Sequence, residues 1–161
     1  MERELKFLLD HPHLPALPPG YRVGTPLPTL RLLDEYLDFR GQILAAGWRL
    51  RRRRSDGQMV RYTLKSEHAA VATAPLSART EIEHASAHGE DLPQEIVETM
   101  AQSGIDVPHL LSRLQPYLAL RQERQPMILS HGTGEIALLS VDSVRATGPA
   151  SGEECRWSEL E

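Results

Sequence analysis

At 161 residues, with 40% hydrophobic and 25% charged side chains, the chain has the size and composition of one globular domain able to bury a real core. A net charge of −4 excludes a general nucleic-acid footprint, so any anion affinity must be local. The single cysteine, Cys155, excludes an intrachain disulfide framework and reads as a small apolar filler rather than a nucleophile. No apolar run is long enough to cross a bilayer and no leader-like segment opens the chain, so the expected compartment is the cytoplasm and no membrane partner is expected.

The chain opens on Glu2-Arg3-Glu4-Leu5-Lys6, where strand alternation puts Glu2, Glu4 and Lys6 on one face and Leu5 and Phe7 on the other. A Pro-rich stretch follows from His11 to Pro28, with Pro12, Pro15, Pro18, Pro19, Pro26 and Pro28, which forbids a long regular helix and predicts an extended loop. A second strand is predicted over Leu30–Asp38 and a short helix near Gln42–Ala46. In the next strand Arg49, Arg51 and Arg53 oppose Trp48 and Leu50, with Arg52 and Arg54 turned to solvent. The hairpin cue Ser55-Asp56-Gly57 then leads to a strand with Arg61, Thr63 and Lys65 against Val60, Tyr62 and Leu64.

An Ala/Ser/Thr-rich connection spans about Ala69 to Ala78, and Arg79, Glu81 and Glu83 share one face of the strand after it. Asp91-Leu92-Pro93 is expected to cap a helix over Gln94–Gln102, and Pro108 to open another through Leu114. Strands over Tyr117–Ser130, Glu135–Thr147 and Glu154–Glu161, with a turn at His131-Gly132-Thr133-Gly134, bring the expectation to eight strands in a single domain over residues 1–161. The seven histidines show no metal-ligand spacing and read as surface or loop residues, and no P-loop is present.

Each strand thus has an apolar half that can pack under helices and a charged half. If the sheet closes on itself, the charged halves line a barrel interior. That interior requires water, cross-pairing or a ligand, because unpaired buried charge is costly. Basic groups ask for a polyanion and clustered carboxylates for a hard divalent cation, and a metal polyphosphate satisfies both.

The ordered set Glu2-x-Glu4-x-Lys6, Tyr36-Leu37-Asp38, Gly47-Trp48-x-Leu50-Arg51-x-Arg53, Thr63-Leu64-Lys65, Arg79-x-Glu81-x-Glu83, Arg121-x-x-Arg124, Asp142 and Glu159-x-Glu161 resembles the CYTH domain of the triphosphate tunnel metalloenzymes over essentially the whole chain. The resemblance implies a mostly β, α+β fold: an eight-stranded antiparallel closed β-barrel tunnel with a few peripheral helices. It also implies hydrolysis of a triphosphate with Mg²⁺ or Mn²⁺, the metal held by Glu2, Glu4, Asp142, Glu159 and Glu161. Phosphate oxygens would be bound by Lys6, Arg51, Arg53, Lys65, Arg79, Arg121 and Arg124, with Lys6, Arg51 and Lys65 acting on the transferring phosphate. Structural ion pairing is the alternative for these cations, and Arg49 and Arg61 share their parity.

Glu81 and Glu83 have two readings, metal ligation or pairing with the arginines, and orientation through pairing is favoured for Glu81. Asp142 has the wrong parity relative to Glu135 and is expected to need a β-bulge near Ser140; Arg124 has the same difficulty relative to Arg121. Phe39, where the family usually has threonine, and Glu123, at a position often basic, depart from the pattern.

The family's functions leave inorganic triphosphatase, thiamine triphosphatase and class IV adenylyl cyclase open. Inorganic tripolyphosphate is favoured, because an aromatic content of 5% offers little that reads as a base-stacking element. Thiamine triphosphate comes next, with Trp48 or Phe39 as stacking partners, although Trp48 on the apolar face suits a core position better. A polyphosphate-binding module without turnover is a separate class of answer. The resemblance further suggests a homodimer and pairing with a CHAD domain, and the stop at Glu161 suggests a fragment or a minimal domain.

Overall fold

The computed structural model describes residues 6–11, 13–67, 80–86, 91–148 and 152–161. In chain order its elements are β1 (Phe7–Leu9), β2 (Tyr21–Val23), β3 (Leu30–Asp38), α1 (Gln42–Ala45), β4 (Trp48–Ser55), β5 (Val60–Ser66), β6 (Glu81–Ser86), α2 (Gln94–Gln102), α3 (Val107–Leu111), β7 (Gln115–His131), β8 (Gly134–Thr147) and β9 (Glu154–Leu160). The chain divides into two compact units. One holds Met1–Leu32, Leu120–Thr147 and Glu153–Glu161, and the other Leu33–Ala119 with Gly148–Gly152.

In the second unit the strands run in the order β3-β4-β5-β6. Leu50 pairs with Leu64 across β4 and β5, and Leu64 with Ile82 across β5 and β6. Directly opposed residues share a face, so one face of the three strands packs Leu50, Tyr62 and Leu64, joined by Leu37 of β3, against Ile43 of α1, Ile96 and Met100 of α2, and Val107 and Leu110 of α3. Leu50 and Leu64 are fully buried, each worth roughly 2–3 kcal/mol of transfer free energy. Ile96 and Met100, four residues apart, lie on one face of α2. Trp48 joins this apolar side as expected, its indole N–H donating to Ser103 Oγ at 2.8 Å.

Sequence cues for the connections hold in part. Gly57, at a φ of 69° that favours glycine, turns the β4–β5 hairpin. Helix α2 starts at Gln94 as predicted, but its N-cap is Pro93 with no side-chain cap, so Asp91 does not cap it. Helix α3 ends at Leu111 instead of Leu114, and its cap is Asp106, which accepts from the His109 backbone N–H. Asp38 of the Tyr36-Leu37-Asp38 motif anchors α1: its carboxylate accepts from the backbone N–H of Phe39 at 2.6 Å, Ile43 at 3.1 Å and Leu44 at 3.2 Å.

In the first unit the order is β1-β9-β8-β7, with β2 paired to β7. Strand β2 lies inside the Pro-rich stretch read as a loop, so the structure describes nine strands where eight were expected. Between Pro19 and Pro26 the segment Tyr21-Arg22-Val23 keeps its backbone donors and pairs with His131, Ser130 and Leu129. Cys155, expected as an apolar filler, is exposed on β9.

The sheet is mostly antiparallel β structure with an open strand path, ending on β1 and β6, and among the described residues no ladder closes it into a barrel. Among the described residues no helix is long and apolar enough to cross a membrane.

Candidate functional site

In the first unit, the ladder between β8 and β9 builds a carboxylate cluster. Asp142 lies opposite Glu159, and the same register runs from Thr147↔Glu154 through Val141↔Leu160. It continues one step further, since the backbones of Ser140 and Glu161 exchange hydrogen bonds of 2.9 and 3.0 Å. From Ser140 to Thr147 the register with β9 holds no bulge. Ser140, Asp142 and Val144 form the buried alternation of β8, and Asp142 reaches the inner face by simple parity.

Glu159 of β9 and Glu161, the residue just past its end, are two apart and share this face. One carboxylate oxygen each from Asp142, Glu159 and Glu161 lies within 4.8 Å of the others. Hard oxygen donors at that spacing fit Mg²⁺ or Mn²⁺ in kind, and Asp142, fully buried, is the most shielded of the three.

Two cations already sit among these acids. Arg124 of β7 grips Asp142 through Nε at 2.9 Å and Nη2 at 2.7 Å, and its Nη2 also donates to Glu161. Lys6 Nζ lies 3.1 Å from Glu161 and 3.7 Å from Glu159. The Trp157 indole N–H donates to the Glu159 carboxylate at 3.1 Å. Of the expected metal ligands, Asp142, Glu159 and Glu161 therefore come together, while Glu2 and Glu4 lie outside the described residues. Arg121 and Arg124 are three apart on a strand and point to opposite faces, with Arg121 exposed and Arg124 turned inward. Glu123 is exposed and faces Arg31 at 3.6 Å.

In the second unit, the face of β4, β5 and β6 opposite the core carries a separate charged network. Arg51 pairs in register with Thr63 and Thr63 with Glu83; Arg49 pairs with Lys65 and Lys65 with Glu81. These are the residues that alternation placed on one face. Arg51 donates through Nη2 to Thr63 Oγ1 at 3.0 Å, and Thr63 donates to Glu83 at 3.2 Å. Glu83 also receives Arg61 at 2.6 Å, and Lys65 lies 2.9 Å from Glu81. Arg79 lies outside the described residues.

Two acidic residues of β3 that the sequence reading passed over organise the arginines. Asp34, 1% exposed, receives Arg53 through both oxygens at 2.6 and 2.7 Å and lies 3.7 Å from Arg51 Nη1. Glu35, on the helix side, pairs with Arg52 at 2.9 Å and Arg54 at 3.4 Å. Arg52 is thus half-buried in an ion pair where a solvent-facing side chain was expected. Asp34 shares the parity of Tyr36 and Asp38 in β3, which indicates its face but not its partners.

Phe39 is framed by the guanidinium groups of Arg40 and Arg113 at 5.2 and 5.4 Å from its ring centre, so it is engaged on the helix side of this unit. A cavity of about 360 Å³ also opens there, lined by Leu37, Arg52, Tyr62, Leu92, Leu114 and Pro116, and it belongs to the face away from Arg51 and Arg53. Tyr117 has its pKa raised above 10.0, first by burial; Arg49 opposes the shift, and the carboxylates of Asp38 and Glu67 add to it.

No family model matches this chain, and no curated protein matches it.

Proposed function

We propose that the protein is a divalent-metal-dependent triphosphatase, a phosphoanhydride hydrolase with inorganic tripolyphosphate as the favoured substrate. The observation that carries the proposal is the gathering of Asp142, Glu159 and Glu161 within 4.8 Å by the β8–β9 register. Asp142, Glu159 and Glu161 would hold Mg²⁺ or Mn²⁺, joined by Glu2 and Glu4 as the CYTH resemblance implies. The metal would neutralise phosphate charge and lower the pKa of the attacking water.

Lys6 and Arg124, which hold these same carboxylates, would turn to phosphate oxygens, and the resemblance implies phosphate contacts for Arg51, Arg53 and Lys65 as well. Water oxygen attacks the terminal phosphorus, the bridging P–O bond breaks, and orthophosphate and diphosphate leave. The proposal includes closure of the sheet into a barrel, as the resemblance implies.

A polyphosphate-binding module without turnover is the second reading. It is favoured by Lys6 and Arg124, since the acids already serve them as counter-ions. Incubation with tripolyphosphate, thiamine triphosphate and ATP, each with Mg²⁺ or Mn²⁺, beside a Glu159→Gln control, separates the two. Metal-dependent product formation lost in the control supports the enzyme. Tight polyphosphate binding with no product from any of the three supports the module.

A further inference from the structure

The two arginines of β4 assigned to phosphate are held very differently. Arg53 closes a two-pronged ion pair on Asp34, with Nε to Oδ1 at 2.6 Å and Nη2 to Oδ2 at 2.7 Å. Turning Arg53 toward a ligand would take this fork away from a carboxylate that is 1% exposed, and breaking a buried pair is strongly unfavourable. Arg51 has looser partners. Its charged neighbours, Asp34 and Glu83, stand 3.7 and 3.6 Å away, and its hydrogen bond goes to the neutral hydroxyl of Thr63. Its Nε is buried without a hydrogen-bond partner, a donor left over after the network is formed.

We propose that Asp34 is a positioning residue for phosphate binding: it locks Arg53 as a strut and tethers Arg51 as the guanidinium that engages the phosphate. This assignment rests on the phosphate-binding reading above and divides labour within it. An arginine side chain ordered before the ligand arrives loses less freedom on binding, and a carboxylate shared between two guanidinium groups leaves the set cationic.

The test follows the Arg51 and Arg53 Nε–H resonances of the full chain by NMR, assigned through Arg51→Lys and Arg53→Lys, as tripolyphosphate is added. The Arg51 signal is expected to move while the Arg53 signal stays in place and exchanges slowly. Asp34→Asn is expected to weaken tripolyphosphate binding by about tenfold and to speed exchange at Arg53, with Asp34→Glu restoring part of both. Equal movement of both signals, or unchanged or tighter binding by Asp34→Asn, overturns the proposal. If Asp34→Asn does not fold, the wild-type spectra decide. A wild-type chain that binds no tripolyphosphate refutes the phosphate-binding reading itself, whereas binding with unselective shifts refutes only the role of Asp34.

Discussion

Asp142 is the residue on which the first cluster depends, because it is fully buried and its charge is met by the two-pronged grip of Arg124. Replacing it by alanine leaves the half-buried guanidinium without its two-pronged partner, though still beside Glu161, and the expected loss is about 3 kcal/mol in denaturant unfolding, near the lower end for breaking a buried pair. A loss under about 1 kcal/mol would mark the pair as an exposed one in energetic terms.

Tyr117 supplies a pH signature. Its phenol keeps its proton in the fold at a pH where the unfolded chain has released it, so its contribution is intact below 10.0 and stability falls as pH rises through the raised folded value. Tyr117→Phe is expected to flatten the alkaline slope of thermal melting points. An unchanged slope would assign the loss to other groups.

Within β4, β5 and β6 truncation is expected to cost mainly stability on one face and mainly affinity on the other. Leu64→Ala, at a fully buried position in the core, is expected to cost about 2–5 kcal/mol. Lys65→Ala, one residue on and paired with Glu81 near the surface, is expected to cost less than about 1 kcal/mol while lowering phosphate affinity. Asp38→Ala, which removes the acceptor for three backbone N–H groups around α1, is expected to cost about 1–3 kcal/mol and to lower the unfolding midpoint.

The alternation in β4 and β5 was legible in the sequence because it is local, with a period of two set by the backbone. Asp142 was expected among the inward carboxylates, but only by way of a β-bulge, because its parity was counted from Glu135, near the turn. The register between β8 and β9, which joins residues well apart in sequence, is what fixes the face. Asp34 was missed for a related reason. Its role appears only when β3 lies beside β4, and nothing in Leu33-Asp34-Glu35 itself announces two arginine partners. Strand β2 was hidden by the surrounding prolines, which mask a proline-free segment able to pair with β7.

Among the described residues of the whole chain, charge is concentrated in two networks, one in each compact unit. One gathers three carboxylates with Lys6 and Arg124, and the other arrays arginines over Asp34 and Glu83. A net charge of −4 therefore conceals local cationic faces, and tripolyphosphate affinity is expected to fall with added salt where the cations are exposed. Isothermal titration at low and high ionic strength checks this, and an affinity indifferent to salt would argue against electrostatic capture.

The most direct measurement of the central claim is the time course of orthophosphate release from tripolyphosphate by the wild-type chain and by Asp142→Asn, with Mn²⁺ and with a chelator. The proposed function predicts release by the wild type with Mn²⁺, at least about a hundredfold less with the chelator or the substitution, as expected when charge stabilisation of the transferring group is removed. Equal release in all arms, or none in any, would contradict it.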